Sequence, residues 1–277
     1  MPTSLNRYAV IGNPVEHSLS PQIQRMFAEQ TGIAMTYEKC HAELDKFTEA
    51  VQQFRKQGGK GMNITLPFKE QAFELADILS PRAELARAVN VFLFTENGKI
   101  LGDNTDGFGL VRDLQHNHHC VLEDKAILLL GAGGSARGCL GPLLDEYPRE
   151  IIIANRTLKK AQALADEFQR FGSVRACGYD DEYVLDPEDG FDLIINTTSA
   201  SIQGEMPPLA NHIIADGGIC YDLMYGLSEN PFLDWADSES ADIIADGLGM
   251  LVEQAAESFH VWHGIRPDTG SVLAGLR

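Results

Sequence analysis

A glycine-rich segment at residues 131–136 has the composition of a phosphate-binding loop. It follows the apolar run 126–130 and precedes a helical pattern. In such loops the first glycine allows a tight turn, the second lets a pyrophosphate approach the backbone, and a small third residue lets the helix pack on the strand. The amides at the helix N-terminus then bind phosphate. We therefore predict dinucleotide binding by Gly131, Ala132, Gly133, Gly134 and Ser135.

The end of the next predicted strand indicates which dinucleotide binds. It carries Asn155, Arg156 and Thr157, and it lacks the carboxylate that would bind the ribose 2′-hydroxyl of NAD. A guanidinium instead forms charge-assisted hydrogen bonds with a 2′-phosphate, each contributing about 1.5–3 kcal/mol. These residues predict NADP as the cofactor, and Lys159 and Lys160 add positive charge in the next turn.

Three polar clusters precede the glycine-rich loop, and each follows a predicted strand. They lie at residues 13–20, at residues 63–69, and at Asn90 together with residues 103–107. Ligands of α/β proteins bind beyond the carboxyl ends of the strands. Three such clusters ahead of a nucleotide loop therefore predict an oxygen-rich small-molecule ligand.

Short apolar runs and amphipathic helical patterns alternate along most of the chain. This alternation indicates an α/β fold with a parallel, doubly wound sheet. We expect Ser20 to cap a helix that has Pro21 at its first position. The predicted strands are 8–12, 61–65, 91–94, 126–130, 151–154, 191–195, 218–223 and 241–244, and further helices cover about 44–57, 158–168 and 249–264.

Turn-forming residues at 101–107 suggest a boundary between two domains. We predict an α/β substrate-binding domain of residues 1–104, completed by C-terminal helices within 247–277. Residues 105–246 would then form a Rossmann-type, doubly wound NADP domain, with a cleft between the two.

The composition excludes several classes of protein. The chain has 22 Lys and Arg against 40 Asp and Glu, a net charge of −18. We therefore expect neither a nucleic acid nor an anionic membrane as partner, because both require a basic face. No apolar run approaches the roughly 20 residues that span a bilayer. Five scattered cysteines without a C-x-x-C pair predict a reduced, cytoplasmic protein.

A histidine-rich stretch at residues 116–119 is the one segment that could suggest metal binding. It is short and has no distant pair of ligand residues. We interpret it as a site of adventitious binding or a plain solvated loop, and predict no metal site.

Taken together, these motifs resemble the shikimate dehydrogenase family over essentially the whole chain. The stretches that carry the resemblance are 12–14, 18–20, 58–69, 88–90, 102–107, 131–136, 155–157, 195–199, 221–225 and 245–251. The resemblance implies reversible, NADPH-linked reduction of 3-dehydroshikimate to shikimate, a step of aromatic amino-acid biosynthesis in the shikimate pathway. It also implies an oxidoreductase with two α/β domains.

The resemblance also implies roles for individual residues. The substrate carboxylate would be held by Ser18 and Ser20. The ring hydroxyls would be contacted by Thr65, Lys69, Asn90 and Asp106, and the pocket completed by Tyr225 and Gln254; Asn63 is predicted to join them. The cofactor would contact residues 131–135, Asn155, Arg156, Thr157, Lys160, Thr198, Ser199, Leu223 and Gly247. Leu223 stands where relatives commonly have Met, and Thr197 stands where they commonly have Ala.

Two residues are candidates for moving the proton of the reacting hydroxyl. A positioned base contributes about 10²- to 10⁴-fold to rate. Our hypothesis is that Lys69 takes the proton while Asp106 orients it and binds the hydroxyl. In the alternative, Asp106 is the base and Lys69 stabilises the alkoxide electrostatically.

Two other functions stay open from the sequence alone. A dual-specificity quinate/shikimate dehydrogenase would accept a substrate with an additional ring hydroxyl, and such enzymes often accept NAD, which Arg156 disfavours. A non-catalytic NADP-binding sensor on the same fold would not need both Lys69 and Asp106. For assembly, we expect a monomer or a homodimer.

Overall fold

The computed structural model describes residues 5–181 and 189–277. The chain divides into two compact units. The first unit runs to Gly109 and resumes at Leu251, and the second spans Leu110–Met250. None of the helices in the described residues combines the length and the apolar character needed to cross a lipid bilayer.

The elements follow one another as an alternation of strands and helices. The strands are β1 Asn6–Gly12, β2 Met35–His41, β3 Gly59–Ile64, β4 Ile78–Leu79, β5 Val91–Phe94, β6 Ile100–Asp103, β7 Ala126–Leu130, β8 Glu150–Ala154, β9 Val174–Cys177, β10 Phe191–Asn196, β11 Ile214–Asp222 and β12 Ile243–Ala245. The helices are α1 Ser20–Thr31, α2 Phe47–Lys56, α3 Lys69–Leu75, α4 Pro81–Ala86, α5 Asp106–Arg112, α6 Gly134–Leu144, α7 Leu158–Phe168, α8 Pro231–Ser238, α9 Leu248–His263 and α10 Gly270–Leu276. A π-helical turn at Asp113–Asn117 continues α5, and a 3₁₀ turn covers Ala200–Gln203.

The sheet of the first unit has six strands in the order β2-β1-β3-β5-β6-β4. Strand β1 pairs in parallel with β2 and β3, whereas β5 is antiparallel to both β3 and β6. The sheet therefore contains an antiparallel hairpin that the alternation of strands and helices did not predict. Apolar side chains of α2, β3 and β5 fill its core, among them Phe47, Met62 and Phe92.

Two local predictions for this unit were wrong. Helix α1 begins at Ser20 itself after Leu19, and no side chain caps it, so Ser20 is not the N-cap. Gly102 and Asp103, interpreted as turn formers, lie in β6. A Cβ at Gly102 would come within 2.8 Å of Ala76 Cβ and Val89 Cγ2. Glycine therefore serves close packing inside a strand here, and not a turn.

Helix α9 packs against the first unit through its C-terminal half. The indole of Trp262 donates to the Phe92 carbonyl at 3.0 Å and stacks on Tyr8 with ring centroids 4.6 Å apart. A Cβ at Gly61 would lie 2.4 Å from the indole nitrogen of Trp262, so only glycine fits beneath this ring. The amide of Gln24 on α1 donates to the Ala255 carbonyl at 3.0 Å.

The second unit contains a fully parallel six-stranded sheet in the order β12-β11-β10-β7-β8-β9. Read from the other edge, this is the 3-2-1-4-5-6 order of a dinucleotide-binding Rossmann sheet, whose crevice lies where the order reverses, between β7 and β10. All five residues of β7 are buried. The predicted doubly wound sheet is confirmed for this unit.

The π-helical turn of the second unit holds a buried carboxylate. Asp113 accepts hydrogen bonds from the Tyr221 hydroxyl at 2.6 Å and from Asn117 Nδ2 at 2.7 Å, and His118 Nε2 lies 3.6 Å away. Burial opposes ionisation of Asp113, but together these partners hold its pKa below the ordinary value. His118 is only 14% exposed, so the interpretation of this stretch as a solvated loop is wrong at His118.

Candidate active site and cofactor site

Two helices begin with the predicted proton-transfer residues, and both of these residues belong to the first unit. Lys69 is the first residue of α3, and Asp106 is the first residue of α5. Lys69 Nζ lies 2.6 Å from Asp106 Oδ2, with the side chains 27% and 19% exposed. The two groups therefore form an ion pair that a small ligand can still reach.

The Asn90 side chain ties this pair to its surroundings. Asn90 Oδ1 accepts from the backbone amide of Thr105 at 2.9 Å, which fixes the orientation of the side-chain amide. Asn90 Nδ2 consequently donates to Asp106 Oδ1 at 2.8 Å and to Thr105 Oγ1 at 2.9 Å. Gln254 Oε1 lies 3.4 Å from the same nitrogen. Each oxygen of Asp106 thus accepts a hydrogen bond within the protein.

Asn63 has its hydrogen-bonding groups occupied by the protein itself. Its Nδ2 donates to Ser258 Oγ at 2.8 Å and to the Asn90 carbonyl at 3.3 Å, and its Oδ1 accepts from the Tyr37 hydroxyl at 2.8 Å. The residue is 6% exposed. This geometry favours an orienting role for Asn63.

Tyr37 and Ser258 are site residues that the sequence reasoning missed. Tyr37 lies on β2, a strand that was not predicted, and burial raises the pKa of its hydroxyl well above the ordinary value. Ser258 lies on the buried face of α9 among Ala255 and Phe259. A hydroxyl within an otherwise apolar helical stripe was the available signal, because a buried polar group needs a partner.

The predicted carboxylate-binding serines connect to this network. Ser20 is buried, and Tyr37 is close enough for its hydroxyl to be affected by that of Ser20. The backbone amide of Ser20 donates to Ser18 Oγ at 3.3 Å. Thr65 follows β3 with a half-buried side chain. Tyr225 belongs to the second unit, where burial raises the pKa of its hydroxyl.

An arginine–carboxylate cluster anchors the segment that leads into Asp106. Arg82 makes two hydrogen bonds to Asp103, at 2.7 and 2.6 Å, and pairs with Glu257 of α9 at 2.9 Å. Ser80 Oγ donates to Asp103 at 2.5 Å. Burial opposes ionisation of Asp103, yet Arg82 and the other donors hold its pKa below the ordinary value. The backbone three residues before Asp106 is thereby fixed.

The glycine-rich loop of the second unit offers space and free amides. Gly131 has φ +103°, and a Cβ there would lie 2.8 Å from Thr197 Oγ1. Within the described chain, no atom comes within 4 Å of a Cβ placed on Gly133 or Gly134. Helix α6 begins at Gly134 with Gly133 as N-cap, and a glycine has no side chain with which to cap the first amides. These features fit a pyrophosphate.

The residues after β8 fit a 2′-phosphate. Arg156, Thr157 and Lys160 are exposed, and no carboxylate in the described part of the chain pairs with Arg156. Asn155 Nδ2 donates to the Thr157 carbonyl at 3.0 Å and so shapes this turn. The donor set matches the predicted preference for NADP.

The remaining predicted cofactor residues lie in loops after β10, β11 and β12. Thr198 bonds Asn196 Oδ1 through its backbone amide at 3.1 Å and its hydroxyl at 2.7 Å, and Ser199 follows in the same loop. A Cβ at Gly247 would lie 2.1 Å from the Leu223 carbonyl oxygen. Leu223 and Gly247 are therefore in backbone contact, as two residues lining one site would be.

Known proteins with related sequences cover nearly all of the chain. Family models match residues 10–92, described as the substrate binding domain of shikimate dehydrogenase, residues 113–202, described as shikimate/quinate 5-dehydrogenase, and residues 247–276, described as the shikimate 5′-dehydrogenase C-terminal domain. The shikimate dehydrogenase (NADP(+)) of Alkalilimnicola ehrlichii is 53% identical over 272 residues, 98% of each chain. The chain belongs to the shikimate dehydrogenase family.

Solved structures of other proteins agree with the fold. An Ael1 enzyme from Pseudomonas putida superimposes with a TM-score of 0.92 at 45% identity, covering 98% of both chains. Shikimate 5-dehydrogenase from Thermus thermophilus, solved in complex with NADP(H) and shikimate, gives a TM-score of 0.85 at 32% identity over 98% of both chains.

Proposed function

We propose that this chain catalyses the reversible, NADPH-linked reduction of 3-dehydroshikimate to shikimate. The observation that carries the proposal is the Lys69–Asp106 ion pair, held beside Asn90 and Gln254 in a chain of this family. The dual-specificity and sensor alternatives gain no support, because Arg156 suits a 2′-phosphate and both members of the ion pair are in place.

The first unit supplies the substrate site in this proposal. Ser18 and Ser20 donate hydrogen bonds to the substrate carboxylate, a charge-assisted interaction. Thr65, Asn90 and Gln254 contact the ring hydroxyls, whereas Asn63 holds its neighbours in place. Tyr225 is proposed as a further substrate contact.

In the oxidative direction Lys69, in its neutral amine form, takes the hydroxyl proton and becomes the ammonium that pairs with Asp106, which orients it. The support is that both Asp106 oxygens already accept hydrogen bonds, from Lys69 and from Asn90. In the reductive direction Lys69 returns the proton to the carbonyl oxygen that becomes the hydroxyl. Bound NADP supplies the hydride acceptor or donor.

The second unit holds the cofactor. The backbone of Gly131, Ala132, Gly133, Gly134 and Ser135 faces the pyrophosphate, and Asn155, Arg156, Thr157 and Lys160 receive the 2′-phosphate. Thr198, Ser199, Leu223 and Gly247 line the other half of the dinucleotide. The domain roles of the two units follow from this division.

We further propose a cytoplasmic enzyme that works as a monomer or a homodimer. The five cysteines are all free thiols. Burial raises the pKa of Cys120 to about 11 and that of Cys220 to about 12, so neither is poised for thiol chemistry.

The test is NADP+ reduction by the purified protein with shikimate, with quinate and NAD+ as parallel arms. We expect rapid turnover only with shikimate and NADP+. Comparable rates with quinate or NAD+ would establish the dual-specificity alternative. A folded protein that binds NADP+ but turns over no substrate would establish the sensor.

A further inference from the structure

A carboxylate lies fully buried at the end of β11 without a cationic partner. Asp222 has 0% of its surface exposed. Among residues 5–181 and 189–277, no lysine, arginine or histidine forms an ion pair with it, in contrast to Asp103 and Asp106. Buried charges are rare unless they are paired.

Four donors surround the Asp222 carboxylate. Its Oδ2 accepts from Ser201 Oγ at 2.5 Å, from Asn196 Nδ2 at 3.0 Å and from Asn230 Nδ2 at 3.1 Å. Its Oδ1 accepts from the Met224 backbone amide at 2.8 Å. The carboxylate is thus held by neutral donors alone, which orient it and leave its charge uncompensated.

The side-chain amides of Asn196 and Asn230 cannot flip so that their oxygens face Asp222. Asn196 Oδ1 accepts from the Thr198 backbone amide at 3.1 Å, so its Nδ2 must face Asp222. Asn230 Oδ1 accepts from the amides of Phe232 and Leu233 at the start of α8, which fixes its Nδ2 in the same way. An ionised carboxylate, which only accepts, matches this set of donors.

The position of Asp222 in the sheet relates it to one half of the dinucleotide. In a 3-2-1-4-5-6 sheet the dinucleotide crosses the crevice at the reversal, with its 2′-substituted ribose beside the second strand, here β8. The opposite half, which ends in the nicotinamide, then lies towards the carboxyl ends of β10 and β11. Asp222 joins the loops that follow these two strands, through Asn196 and Met224.

The two redox forms of the cofactor differ by one charge in that half. The nicotinamide ring is cationic in NADP+ and neutral in NADPH. An uncompensated carboxylate in a poorly polarisable interior attracts a nearby cation, and the attraction is absent for a neutral ring. Any effect of Asp222 on loop shape, by contrast, acts on both forms.

We propose that Asp222 is a positioning residue whose buried charge makes this chain bind NADP+ more tightly relative to NADPH. The inference rests on the proposed use of NADP. It assigns the preference between NADP+ and NADPH to a residue of the second unit that lies outside the proposed substrate site.

The test uses the full-length chain and its Asp222→Asn variant, with the dissociation constants of NADP+ and NADPH measured by calorimetry. We expect the ratio of the NADP+ constant to the NADPH constant to rise about tenfold, the effect of one unit charge at about 10 Å in a medium of effective dielectric about 20. Asp192→Asn is the matched control. Asp192 is also a carboxylate of the second unit but lies near the other end of β10 and pairs with Lys125 at 2.8 Å. We expect it to leave the ratio unchanged.

Equal weakening of both redox forms in Asp222→Asn would overturn the proposal, because it would assign Asp222 a purely structural role. If that variant does not fold, Asn230→Lys decides. Its ammonium keeps a donor towards Asp222 and compensates the charge of that carboxylate, at the cost of the N-cap of α8, so the ratio should rise as in Asp222→Asn. A ratio that is unchanged or lowered contradicts the proposal. Failure of the wild-type chain to bind either form would instead contradict the proposed function.

Discussion

Asn90 donates to Asp106 Oδ1 at 2.8 Å and thereby leaves Oδ2 of the same carboxylate to Lys69. The arrangement depends on a backbone amide, that of Thr105, which fixes the direction of the Asn90 side chain. The backbone amide of Thr105 therefore orients the proposed proton-transfer pair, Lys69 and Asp106, through the side chain of Asn90.

Replacing Lys69 by Met should lower kcat for shikimate oxidation by about 10²- to 10⁴-fold, because the side chain keeps its length but can no longer take a proton. The measurement is steady-state NADP+ reduction with shikimate varied. Lys60→Met, at an exposed position of β3, is the control and should behave as the wild type. A Lys69→Met enzyme with nearly intact kcat and only a raised KM would make Asp106 the base.

Replacing Ser20 by Ala should raise the KM for shikimate about tenfold with kcat nearly unchanged, since a charge-assisted hydrogen bond remote from the reacting carbon contributes equally to ground and transition states. Calorimetric titration with NADP+ should show unaltered affinity. Ser238→Ala, at an exposed hydroxyl of the second unit, provides the comparison. An equal fall in kcat and kcat/KM would place Ser20 at the reacting centre instead.

Replacing Arg156 by Gln should raise the KM for NADP+ by about 10- to 100-fold and leave that for NAD+ unchanged, because only NADP+ carries the 2′-phosphate. The two cofactors are compared in parallel initial-rate assays. Arg170→Gln, at an exposed arginine after α7, should alter neither. Equal losses with both cofactors would show that Arg156 does not read the 2′-position.

Replacing Arg82 by Met should destabilise the fold at neutral pH by on the order of 3–5 kcal/mol, because Asp103 stays buried without its partner. In the wild type, the pKa of Asp103 is lower in the folded chain than in the unfolded chain, so its ionised form stabilises the fold at pH values above the unfolded pKa. This stabilisation is lost as the pH falls through the folded pKa. In urea unfolding, the difference in free energy of unfolding between the wild type and the variant should therefore be largest near pH 7 and shrink below about pH 4. Arg25→Met, on the exposed face of α1, is the control. A deficit independent of pH would assign Arg82 a packing role only.

Sequence patterns predicted the second unit better than the first. In the second unit, the strand Ala126–Leu130 and the helix Leu158–Phe168 were predicted at or close to their observed bounds, because uniform apolar runs and a clear helical stripe mark buried elements. Strand β2 was missed because exposed Glu38 and Lys39 interrupt its pattern at the sheet edge. Strand β6 was missed because glycine is typical of turns, whereas Gly102 lies inside the strand and allows close packing there.

The residues of the candidate site also divide into those that local sequence patterns predicted and those that they did not. Glycine spacing and the residues after β8 indicated the cofactor, since both signals are local in sequence. The partners of Asn63 were not predictable in this way, because Tyr37 and Ser258 meet it from 26 and 195 residues away. Hydrogen-bond partners so distant in sequence leave no local pattern.

The glycine N-cap of α6 makes the stability of the folded chain depend on the concentration of its cofactor. Because the glycine cap has no side chain to bond them, the first amides of this helix are left to phosphate or to water. A ligand that binds only the folded chain raises its folded population in proportion to ligand concentration over dissociation constant. Resistance to proteolysis, and hydrogen exchange in the first turn of α6, should therefore follow the cellular NADP pool, and starvation for the cofactor would shorten the half-life of the chain.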